Sequence, residues 1–118
     1  MSGSIDKNDS PIDLESALER TGGDKEFLHE LLDLYISEFG PHFQKIKDAL
    51  KEADLNSIQE LAHSLKGSSA NLSLLTLQDI SYTLENAGRD QDLDAVRENI
   101  PLLESEFQRL KVFLKKTD

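Results

Sequence analysis

The 118-residue chain contains no cysteine. A disulfide framework and thiolate chemistry are therefore excluded. Basic residues are scarce, with 13 Lys and Arg against 23 Asp and Glu and a formal net charge of -10. That balance argues against holding nucleic acid or an anionic membrane through bulk electrostatics. No apolar run approaches the ~20 residues of a membrane span. The opening MSGSIDKNDS lacks the apolar stretch of a signal peptide. No segment shows strand-like alternation, internal repetition or low complexity. The length suits one domain. Residues 1–9 read as a disordered segment or an expression scar, and residues 10–116 as a single helical domain. The expected setting is soluble and cytoplasmic, with no membrane and no nucleic acid as partner.

Only 3 prolines and 6 glycines are present, and their positions punctuate the chain. Ser10-Pro11 has the form of an N-cap followed by proline at the first helical position, opening a short helix that runs to about Arg20. Gly22-Gly23-Asp24 ends that helix and caps the next. Phe27, Leu28, Leu31, Leu34, Tyr35 and Phe39 recur at helical spacing, and the pattern resumes beyond Gly40-Pro41 with Phe43, Ile46, Ala49 and Leu50. This is one long helix kinked at Gly40-Pro41, or two helices in line. Asp54 caps a helix with Leu55, Ile58, Leu61, Ala62, Leu65 and Leu72 on one face. Thr76 with Asp79 has the spacing of a capping box and opens another helix, through Leu77, Ile80, Leu84 and Ala87. Asp92 caps the last, which Pro101 should bend without ending. The expected fold is all-α: an antiparallel four-helix bundle with an additional short N-terminal helix.

On the helix that follows Asp54, successive residues turn by ~100°. The apolar face centres between Leu61 and Ala62, which sets His63 roughly 145° away and in water. A neutral imidazole is a nucleophile near pH 7 and can take a phosphoryl group on nitrogen. Lys66, three residues on, can offset phosphoryl charge. Gly67, four residues on, places no side chain over the ring, although glycine inside a helix costs ~1 kcal/mol against alanine. Gln59 and Ala70 share the stripe, while Ser68 and Ser69 are small and turn towards neighbouring helices. The alternative is an ordinary solvated face.

The run His63-Ser64-Leu65-Lys66-Gly67-Ser68-Ser69-Ala70-Asn71-Leu72 resembles the signature of histidine-containing phosphotransfer (HPt) domains, which serve two-component phosphorelays. The similarity extends to Gly22-Gly23-Asp24, to Leu84-Glu85 and to Arg89, from about Ile12 to Leu114. One departure is Ser73, where the family commonly has glycine, and it bears on the helix exit. The resemblance implies that His63 accepts a phosphoryl group from a receiver-domain phosphoaspartate through Nε2 and passes it to another receiver aspartate. It implies a charge-stabilising role for Lys66, steric access at Gly67 and imidazole orientation by Glu85, whose plainer alternative is a solvated helix residue. Gln59 could add a hydrogen bond one turn before His63, but a plain surface glutamine is the favoured reading, and Arg89 could help with charge, with a surface ion pair an equal alternative. The implied partners are response-regulator receivers and a hybrid sensor histidine kinase, with the domain a monomer. The chain would need no cofactor of its own, the receiver bringing Mg²⁺. It would be a phosphoryl carrier and not an autonomous kinase.

Three other readings compete with this one. Glu26-Phe27-Leu28-His29 and Glu60-Leu61-Ala62-His63 have the spacing of di-iron bundle ligands, but both histidines are expected outside, so no metal site is assigned. His29 and His42 are expected to be solvated. The dimerisation helix of a histidine kinase usually has an acidic residue after its histidine, where this chain has Ser64. A bundle that acts only as an adaptor, binding receivers or other signalling proteins without carrying phosphate, would share fold and acidity.

Overall fold

The computed structural model describes residues 10–117. The expectation for residues 1–9 lies outside them. The described residues form five helices and no strand: α1 (Leu14–Arg20), α2 (Lys25–Lys51), α3 (Leu55–Asn71), α4 (Leu75–Arg89) and α5 (Leu93–Thr117). No helix among them is long and apolar enough to cross a membrane.

Local chemistry sets most of the boundaries. Asp24, Asp54 and Asp92 each accept a backbone N–H from the first turn that follows, from Phe27, Ser57 and Ala95. Such side-chain caps satisfy donors that the helix itself leaves orphaned. All four connections close as Schellman motifs. In the first, Gly22 N–H reaches Glu19 O and Gly23 N–H reaches Leu18 O. The same pair of bonds recurs at Ala53 and Asp54, at Ser73 and Leu74, and at Gln91 and Asp92. The motif needs a left-handed residue. Gly22 supplies it at φ +68°, but Ala53, Ser73 and Gln91 are forced to φ 53°, 56° and 58°. In the last three turns the final residue also opens the next helix. This overlap keeps the connections short and the helices antiparallel.

Two helix starts differ from what their sequences suggest. Ser10 does not cap α1. Its hydroxyl donates to Ile12 O at 2.6 Å, and Asp13 caps instead through Ser16 N–H. Burial of Pro11 and Ile12 anchors this bent segment against the bundle, and Asp13 N–H donates to Ser73 O. Thr76 and Asp79 form no capping box. The helix begins two residues earlier than such a box would set it, at Leu75, and Leu74, fully buried, stands at the cap with no side-chain bond. Packing and the left-handed turn at Ser73 decide that start. The Ser73 hydroxyl in turn donates to Ser16 Oγ at 3.0 Å, tying α1 to the α3–α4 turn.

α2 is a single helix with Pro41 inside it, and α5 runs unbroken through Pro101. Leu28, Leu32, Tyr35, Phe39, Phe43, Ile46 and Ala49 form the buried face of α2. Phe27 and Leu34, which the spacing puts on that face, are exposed, and Leu32 takes their place. Phe39 stacks on Phe107 of α5 with centroids 3.8 Å apart, closing the bundle. The α2–α3 register is read from Tyr35 OH to Ser69 Oγ at 2.8 Å and from His42 to Leu61 O. Burial pushes the Tyr35 phenol up to about 12, against the opposing hydrogen bond with Ser69.

The α3–α4 contact is the most extensive in the bundle. A Cβ on Gly88 would lie 2.8 Å from the Gln59 backbone nitrogen and 2.9 Å from Leu55 O. Glycine is required there by the approach of two backbones.

Candidate functional site

α3 presents His63 and Lys66 on one surface, three residues apart. The His63 side chain is 66% exposed, on the helix face opposite fully buried Ala62 and Ile58. α4 runs antiparallel beside it. Because Gly88 allows backbone contact at Gln59, Glu85, one turn earlier on α4, meets α3 one turn later, at His63 and Lys66.

Glu85 serves both residues. Its Oε2 lies 2.8 Å from His63 Nδ1, and its Oε1 lies 2.7 Å from Lys66 Nζ. Only 14% of its side chain is exposed. The Lys66 ammonium paired with it is the main influence that holds its carboxyl below the usual range, followed by opposing desolvation and then by the bond with His63. Glu85 is therefore a carboxylate at neutral pH and can only accept. Nδ1 of a neutral His63 must then carry the proton, and the Nε2 lone pair points away into solvent.

A Cβ on Gly67 would meet no atom within 4 Å. No packing among the described residues demands glycine at that position, which keeps its conformational cost. What it leaves is open surface beside the imidazole.

The other expected residues are not drawn into this cluster. Gln59 makes no hydrogen bond with His63, and it is its backbone that matters, as the surface against which Gly88 packs. Arg89 pairs with the neighbouring Asp90 at 3.4 Å. Ser69 is buried against Tyr35 as expected of a small packing residue, whereas Ser68 is exposed and its hydroxyl returns to Leu65 O. His42 is not simply solvated. It is half-buried, and Nε2 donates to Leu61 O at 2.7 Å across the α2–α3 groove. His29 is exposed and lies 3.6 Å from Asp33. No cluster of metal-ligating side chains occurs among the described residues.

Two residues escaped sequence reasoning. Tyr82 places its ring 5.2 Å from Lys66 Nζ. Its position three before Glu85 was the available signal, since both then share a helix face. Gly88 lies three after Glu85, and a glycine so near a helix end suggests a cap more readily than an interhelical contact.

Comparison with known proteins places this geometry in context. The family model described as Hpt domain matches residues 30–112. The phosphorelay intermediate protein rdeA of Dictyostelium discoideum is 28% identical over 99 residues. That alignment covers 84% of this chain and 39% of the relative, so the similarity spans about two fifths of that protein.

Proposed function

The chain belongs to the Hpt domain family, and from that premise we propose that it is a phosphorelay intermediate with His63 as phosphoacceptor. The observation that carries the proposal is the Glu85–Nδ1 bond of 2.8 Å on an exposed imidazole, which leaves Nε2 free.

The chemistry follows from that bond. The Nε2 lone pair attacks the phosphorus of a receiver phosphoaspartate. A P–N bond forms as the P–O bond to the aspartyl carboxylate breaks, and the carboxylate leaves with the bonding pair. The ring acquires positive charge while Nδ1 keeps its proton. Glu85 already faces Nδ1 and stabilises that charge without reorganising. Lys66 offsets the charge of the arriving phosphoryl oxygens. Gly67 leaves room for the receiver to close on the ring. The reverse reaction, onto the aspartate of a second receiver, returns His63 to its starting state. The chain is thus a carrier and not a kinase. Its partners are receiver domains, one of them in a hybrid sensor kinase, and they supply the Mg²⁺. It works as a cytoplasmic monomer.

The test is transfer of labelled phosphate from a panel of phosphorylated receivers to wild type and to His63→Gln. Acid-labile, base-stable label on wild type alone is the expected result. Equal labelling of both would remove His63 from the role. No label on wild type from any receiver, together with equal capture of partners by both proteins, would favour an adaptor.

A further inference from the structure

Lys66 has a flexible four-carbon stem, yet its ammonium is held from two sides, and both contacts come from α4. One is Glu85 Oε1 at 2.7 Å. The other is the ring of Tyr82, with its centroid 5.2 Å from Nζ. Tyr82 and Glu85 are three residues apart on one helix and so share a face. Tyr82 is 53% exposed and has no place in the core.

The two holds differ in kind. Glu85 must also answer the positive charge that develops on His63, so its grip on Lys66 is shared with the reacting ring. A second carboxylate beside Lys66 would neutralise the ammonium and repel the phosphoryl oxygens. An aromatic face attracts the ammonium through its quadrupole and adds no net negative charge. From this arrangement we propose that Tyr82 is a positioning residue of the phosphoryl site, holding the Lys66 ammonium beside His63 while leaving its charge available to the phosphoryl group. The proposal rests on the carrier function of His63.

A cation–ring contact at a partly exposed site corresponds to roughly two- to fivefold in an equilibrium or rate. Tyr82→Leu, which keeps apolar bulk and loses the ring, should slow loading of His63 from phosphoramidate by about that factor. Tyr82→Phe should load at the wild-type rate. In a Lys66→Ala background the leucine substitution should have no further effect, because the lysine it acts through is gone. A second readout is independent of phosphate: the Lys66 Hε protons should show an upfield ring-current shift that Tyr82→Phe keeps and Tyr82→Leu abolishes.

If Tyr82→Leu loads as fast as wild type, or slows loading equally with Lys66 absent, the positioning role is overturned and the carrier function stands. If wild type takes no phosphate on His63, the carrier function fails and the role of Tyr82 falls with it. The absence of a ring-current shift in wild type would also overturn the role, whatever the loading rate.

Discussion

Replacing Gly88 with alanine would insert a methyl group between α3 and α4 where no space exists. Its carbon would sit 2.8 Å from Gln59 N, 2.9 Å from Leu55 O and 3.1 Å from Gln59 Cα. All three are backbone atoms of a helix and cannot rotate away. Relief to about 3.4 Å or more, near ordinary contact distance, requires the helices to part by roughly 0.6 Å. One turn away, that separation would stretch the His63–Glu85 bond from 2.8 Å towards the limit of ~3.2 Å and beyond. Overpacking costs about 1–3 kcal/mol, and the better helix propensity of alanine returns ~1 kcal/mol. The expected net effect is a loss of roughly 0–2 kcal/mol, a few degrees in thermal midpoint. Loss of the fixed tautomer should be clearer than loss of stability. Thermal denaturation measures the stability, and long-range ¹H–¹⁵N spectra of the His63 ring measure the tautomer. A Gly88→Ala protein more stable than wild type, with an unchanged Nδ1–H tautomer, would refute the close-approach argument.

Four further expectations can be checked directly. Ala53→Gly removes a left-handed alanine at φ 53° on an exposed turn; relief of ~1–2 kcal/mol of strain, less ~0.5–1 kcal/mol of backbone entropy, should stabilise the fold in urea titration, and destabilisation would contradict the Schellman assignment. Gly67→Gln should raise stability by up to ~1 kcal/mol, since its Cβ meets nothing, and should slow transfer from a receiver; transfer at the wild-type rate would show that access at Gly67 is not needed. Glu85→Gln can still accept from Nδ1 but carries no charge for the developing imidazolium, so transfer should slow with the fold intact, and an unchanged rate would remove the electrostatic role. The Tyr35 phenol, raised by burial from 10.0 to about 12, should contribute stability that is fully present below pH 10 and is lost as pH rises through 12. The contribution is on the order of 3 kcal/mol, and ultraviolet titration showing Tyr35 ionising near pH 10 would refute it.

What the sequence shows reliably here is what a single helix turn decides. Asp24, Asp54 and Asp92 are legible as caps because each bond spans three residues. The failures occur where a distant contact overrides a local signal. Ser10-Pro11 has the form of a helix start, but Ile12 is buried and Asp13 N–H is taken by Ser73 O, 60 positions on. Thr76 has the form of a cap, but burial of Leu74 starts the helix earlier. Phe27 and Leu34 fit the apolar period, and only the position of the neighbouring helices leaves them outside. The glycine missing at Ser73 did not change the turn, because the Schellman bonds and the Ser16 contact hold a serine in the left-handed region.

The same division runs through the site. The exposure of His63, its spacing from Lys66 and the bareness of Gly67 are properties of one helix with 3.6 residues per turn, so the order of residues determines them. Which nitrogen of His63 is free was decided elsewhere. It depends on Glu85, 22 positions away, and on the antiparallel register that brings it to 2.8 Å. Gly88 permits that register by letting two backbones touch. Periodicity says which way a side chain points, but what it meets there depends on how closely a second helix can approach.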